Sequence, residues 1–243
     1  TQKENISVSP VFDPRESVLS AFSIDPKVAS SIKIFEQREN EERDLLLSSV
    51  SPETIRRNGR SKTLLAISTE DTIEVYLYAP NETASNEVYD FEYYNSNFEN
   101  SQGFEGDYHL VSMRNGIILS SQFIGKTNFG KNRIDTAIQT TIEPFTRQPL
   151  LLFYFRSGSD NIKSFFYRVD EKGRFYSVLF VNPIGKEGYY PYDDFILHSI
   201  GDPTKLQQLN NKSVAWCVAY PGSEYTCRAF RYNGEHFIQI MDE

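Results

Sequence analysis

The residues with the most chemical potential lie in 185–194, GKEGYYPYDD, where Tyr189, Tyr190 and Tyr192 precede the carboxylates Asp193 and Asp194. Aromatic faces cover the C–H surfaces of sugars or extended peptides, and neighbouring carboxylates accept hydrogen bonds from hydroxyl or amide groups. These five side chains form the candidate ligand-binding set. The competing reading is a solvated loop whose tyrosines lay their apolar bodies on the sheet and keep their hydroxyls wet.

A second cluster lies in 93–108, YYNSNFENSQGFEGDY, with Glu99, Glu105 and Asp107 among aromatic rings. Glycoside hydrolysis needs two carboxyl groups about 5–10 Å apart, so this segment, together with Asp193 and Asp194, carries the enzyme alternative. The same oxygens do not follow the regular spacing of a calcium loop. Residues 95–106 are dense in Asn, Ser and Gly, the composition of a surface loop.

Cys217 and Cys227 flank Pro221-Gly222-Ser223-Glu224. A tight hairpin there sets the two residues directly opposite each other, with Cβ atoms about 4.5–5.5 Å apart, close to bridging distance. A disulfide implies an oxidising compartment. The alternative is a pair of small buried thiols, and the symmetry of the hairpin favours the bridge.

Other constellations are missing. The chain has no GxSxG, HExxH, Walker-type loop or GxGxxG after a strand. His109, His198 and His236 lie in strand-like runs without a second ligand at metal spacing, which points to structural or surface roles. No cofactor or metal is implied, and no catalytic residue is assigned.

The elements that must position these groups read as β. Three runs in 149–181, PLLLFYFRS, FFYRV and RFYSVLFV, are rich in aromatic and β-branched residues and separated by turn formers, so they are expected to form antiparallel hairpins. Similar runs occupy 63–68, 72–79, 87–94, 135–144 and 195–200. Asn115-Gly116 joins two further runs, as a tight hairpin requires. SIKIF (31–35) alternates like a strand, 38–47 reads as an exposed helix or a loop, and 202–209 as a helical turn opened by Pro203. The segments 56–60 and 126–133 read as turn and polar link. Asp13-Pro14 marks a possible short helix start. Gly59, Gly116, Gly173 and Gly234 recur at near-equal spacing, the interval of a repeated hairpin unit such as a propeller blade.

The expected fold is therefore all-β: antiparallel hairpins and meanders closing as a propeller-like array, a barrel or a sandwich. Residues 1–60 form an N-terminal arm with a possible short helix, packed on the body, and 61–243 the β domain. The high aromatic content, 15 Tyr and 18 Phe in 243 residues, favours strands. The net charge of −8, with Arg56, Arg57 and Arg60 as the one local basic group, argues against a general nucleic-acid binder. No apolar run approaches the roughly 20 residues that span a bilayer. The function expected is a non-catalytic binding module, exported or at the cell surface, that recognises a protein or glycan through aromatic loops. The alternatives are a carboxylate-dependent glycan hydrolase and a structural or assembly subunit.

Overall fold

The computed structural model describes residues 24–67, 71–85, 103–130, 137–143, 147–157, 161–184, 196–197, 206–210, 213–218 and 226–240. Among them are three sheets and two helices, α1 (Pro26–Glu41) and α2 (Pro52–Asn58). The strands are antiparallel apart from one parallel pairing, and they close into neither a barrel nor a propeller among the described residues.

The first sheet holds β1 (Lys62–Ala66), β2 (Thr72–Tyr78), β3 (Thr83–Ser85), β4 (Gly103–Arg114) and β5 (Ile117–Gly130). Its spine is the β4–β5 hairpin, paired from Arg114 opposite Ile117 to Gly103 opposite Gly130, with register shifts between Ser112 and Met113 and between Tyr108 and His109. Asn115 (φ 51°) and Gly116 (φ 81°) make the turn. Two left-handed residues in succession give a hairpin turn whose twist matches that of the strands. β2 and β3 pair end to end along the other edge of β4.

The second sheet runs β6 (Ile138–Ile142), β7 (Pro149–Ser157), β8 (Asn161–Val169) and β9 (Phe175–Val178) in sequence order. It packs face to face on the first. Ile73, Val75, Leu77, Tyr108 and Leu110 from one side meet Leu151, Phe153, Tyr167 and Phe175 from the other in one buried core. Because side chains alternate along a strand, β8 serves two cores. Phe165 and Tyr167 face this one. Phe166 turns the other way, edge-on to Phe180 (5.9 Å between ring centroids) and Phe237 (6.5 Å) of the third sheet.

That third sheet comprises β10 (Phe180–Val181), β11 (Ile196–Leu197), β12 (Leu206–Asn210), β13 (Ser213–Val218), β14 (Thr226–Tyr232) and β15 (Phe237–Gln239). Its order is β11-β10-β15-β14-β13-β12, with β10 and β15 parallel. Cys217 and Cys227 are direct cross-strand partners on β13 and β14.

Several expectations fail for identifiable reasons. SIKIF is helical, inside α1: Asp25 caps the helix by accepting from the Lys27 N–H (2.7 Å), and Pro26 occupies its first turn. Val28, Ile32 and Phe35 recur at helical spacing and pack on Leu179, Val181 and Ile238. Residues 52–58 form a second helix, capped by Ser51 accepting from the Thr54 N–H (3.2 Å), so Arg56 and Arg57 sit in its last turn. Gly59 is the C-cap of that helix with φ −63°, while Gly116, Gly173 and Gly234 do occupy hairpin turns, one in the first sheet, one in the second and one in the third. Residues 103–106 and 126–130 are paired strand, held by the β4–β5 ladder although their side chains read as loop. Residues 206–210 are β12, not a helical turn. The candidates at 13–14, 87–94 and 198–200 lie outside the described residues.

Candidate functional site

A cavity of about 320 Å³ opens where the C-terminal half of α1 crosses β5 and the edge of the second sheet. This volume is at the low end of ligand cavities, about 300–1,000 Å³. The helical stripe of Val28, Ile32 and the half-buried Phe35 continues to position 39, where the residue is Glu. The same geometry that seats the apolar side chains therefore drives a carboxylate against the sheet.

Glu39 is only 8% exposed. It accepts hydrogen bonds from the Ser177 backbone N–H (3.3 Å) and from the Ser177 hydroxyl. Burial pushes its carboxyl above the usual carboxylate range, opposed by the two Ser177 bonds and the Arg43 charge. Tyr167, which faces Ser177 across β8 and β9, also hydrogen-bonds that serine. Its phenol is pushed up by burial first and then by the nearby Glu39 and Glu42 carboxylates.

The opposite wall is β5, which supplies Gln122, Phe123, Ile124 and Gly125. The segment after α1 fixes this strand: Asp44 N–H donates to Ser121 O (2.8 Å), and the Asp44 carboxylate accepts from Ser120 Oγ (2.8 Å) and Ser121 N–H (2.9 Å). The Gln122 amide donates to Glu39 O (3.3 Å) and Phe123 O (3.4 Å), while its Oε1 is buried without a hydrogen-bond partner among the described residues. Behind the wall, His109 lies against the Phe123 ring (5.1 Å), and burial pulls its imidazole down to about 4, so it is neutral at pH 7. Glu42 and Arg38 complete the cavity, Arg38 from an exposed position on α1. Aromatic rings and hydrogen-bonding groups thus converge on one small concave space, with one carboxyl of perturbed proton affinity among them.

Comparison with known protein families, curated proteins and solved structures gives no match.

The sequence-derived candidates fare unevenly. Tyr189, Tyr190, Tyr192, Asp193 and Asp194 lie outside the described residues, as does Glu99. Glu105 and Asp107 are on β4, not in a loop, and both are engaged: Glu105 pairs with Lys126 (2.8 Å), and Asp107 accepts from the Asn81 amide (2.8 Å). His236 is structural, its Nδ1 accepting from the Leu179 N–H (3.2 Å). A second cavity, about 280 Å³, lies between the end of α2 and the β2–β3 turn; Arg60 and Glu82 in its lining pair with each other, and Tyr108 also donates to Glu82 (3.0 Å). No group of three metal-ligating side chains forms among the described residues, and no described helix is long and apolar enough to cross a membrane.

Sequence reasoning missed the cavity because its walls are remote: Gln122 reaches Glu39 across 83 positions of chain. The one local signal was the stripe at 28, 32, 35 and 39 ending in a charge.

Proposed function

We propose that the protein is a non-catalytic binding module that recognises a protein or glycan partner, with the cavity between α1 and β5 as its ligand site. The observation that carries this reading is the convergence of Phe35, Phe123 and Tyr167 with Glu39, Glu42 and Gln122 on one cavity of about 320 Å³. The β scaffold supports it too, since the β5 wall belongs to a sheet packed face to face on a second one. An exported or cell-surface location is part of the proposal. It draws support from the direct pairing of Cys217 with Cys227, the register a hairpin disulfide needs.

The test is a panel of peptides and oligosaccharides passed over the immobilised protein and over an Arg38→Trp variant. Arg38 is exposed, so the added indole covers the mouth of the cavity without disturbing the core. Saturable binding that the variant abolishes supports the site. Binding that the variant leaves intact removes it.

A second reading, hydrolysis of a glycan, has one observation in its favour: the Glu39 carboxyl is held above the usual range on the same cavity as Glu42. Turnover of any panel glycan that disappears in Glu39→Gln would favour it over simple binding.

A further inference from the structure

The charges around the cavity cancel. Glu39 and Glu42 bring two carboxyl groups, Arg38 a guanidinium at the rim, and Arg43 a second one close enough to oppose the rise in the Glu39 proton affinity. The polar groups of the wall are committed to one another. Ser177 donates twice to Glu39 and hydrogen-bonds Tyr167, the Gln122 amide donates to two backbone carbonyls, and Arg43 donates to Asn40 Oδ1 (2.5 Å) and Phe175 O (3.0 Å). What the wall still offers is carbon. Phe35, Phe123 and Ile124 are each half-buried, and each is backed by a different group. Phe35 packs on Leu179, Val181 and Ile238, Phe123 lies against the His109 ring (5.1 Å), and Ile124 backs onto the core between the first two sheets. All three line the cavity. Ile34, 62% exposed, stands one helical turn before Arg38 on the same side of α1 and carries apolar surface past the rim.

We propose that this cavity takes one aromatic side chain of a protein partner. The proposal rests on the ligand-site reading above and narrows it to one chemical class. A neutral ring needs no hydrogen bond from the wall. It covers the carbon that Phe35, Phe123 and Ile124 leave in contact with water, and it packs edge-on or offset against the two phenyl rings, which adds to simple burial. A charged side chain would give up its hydration for a wall whose charges already cancel. A sugar would bring several hydroxyls to polar groups that are already bonded. The volume, at the small end of ligand cavities, suits a single side chain, and Ile34 gives the partner's flanking residues an apolar footing beside the rim.

The experiment is an amide NMR titration of the full chain with Nα-acetyl-phenylalanine methylamide, run beside its alanine and lysine analogues and methyl glucosides. The expected result is saturable shifts of amides 122–125 with the phenylalanine compound, the alanine and lysine compounds binding about tenfold more weakly. Phe123→Ala should weaken the phenylalanine compound about fivefold, as loss of one ring contact implies. Thermal unfolding shows whether that variant is folded, and the analogue series decides on the wild-type chain alone. Equal binding of the phenylalanine and alanine compounds, tighter binding of the lysine compound, shifts confined to other segments, or a folded Phe123→Ala that binds like the wild type each overturns the proposal. If methyl glucosides move the 122–125 amides and the phenylalanine compound does not, the aromatic assignment fails and the ligand site stands. If none of the compounds moves them, both fail.

Discussion

His236 gives the sharpest stability prediction. Its ring is 6% exposed, its Nδ1 accepts from the Leu179 N–H, and Arg168 lies close enough to oppose protonation. Burial, with that charge, pulls its proton affinity from 6.5 down to about 4. A base with a depressed value is neutral in the fold and protonated in the unfolded chain. Its contribution is therefore present above pH 6.5 and lost as pH falls from 6.5 towards 4. At about 1.4 kcal/mol per tenfold change in proton affinity, the full loss is roughly 3 kcal/mol, of which roughly 2 kcal/mol has gone by pH 5. His109, pulled to about 4 as well, adds a similar slope and must be removed from the comparison. His236→Asn does this: the Asn carbonyl can accept from Leu179 N–H, nothing titrates at 236, and both His109 and Glu36, whose carboxylate stands 3.8 Å from His236 Nε2, are common to both proteins. Urea unfolding followed by circular dichroism at pH 7.5 and pH 5.0 should show the wild type losing about 2 kcal/mol more than the variant. Equal losses, within about 0.5 kcal/mol, would refute the buried neutral histidine.

Two further outcomes are expected. Gly173 and Gly234 both have positive φ (78° and 95°), but a Cβ at 173 would stand 2.6 Å from Ser112 Oγ and 2.8 Å from Leu119 Cβ, while one at 234 meets nothing within 4 Å. Gly234→Ala should then cost about 1 kcal/mol and Gly173→Ala about 3 kcal/mol in urea unfolding, conformational strain alone against strain plus overpacking; equal costs would contradict the close approach of the β8–β9 turn to the first sheet. Intact-mass analysis after alkylation in denaturant should leave Cys217 and Cys227 unmodified until a reductant is added, and reduction should lower stability by roughly 2–3 kcal/mol; alkylation without reductant removes the argument for an oxidising compartment.

Much of the fold was legible because antiparallel strands advertise themselves locally. The runs at 149–157, 161–169 and 175–178 carry their own β-branched and aromatic residues and their own turn formers, and Asn115-Gly116 specifies its hairpin without help. What escaped was decided by partners or by caps. Residues 103–106 and 126–130 are strand because they lie opposite each other in one long ladder, where backbone pairing does not require apolar side chains. LQQLN is strand because β13 lies beside it. SIKIF alternates over five residues, yet the wider window from Asp25 to Glu39 has a cap, a proline start and helical spacing, and the longer pattern wins. Beyond the charge that ends the stripe at 28, 32, 35 and 39, the cavity was not legible, since it forms where α1, β5 and β8 meet, and only the folded chain brings Glu39, Gln122 and Tyr167 together.

The central claim, that ligand is held between α1 and β5, is tested most directly by hydrogen exchange of the full chain with and without the strongest binder from the peptide and oligosaccharide panel. Protection should appear in 35–42 and 122–125 at saturation. Protection confined to 185–194, with those two segments unchanged, would contradict the account and return the site to Tyr189, Tyr190 and Tyr192.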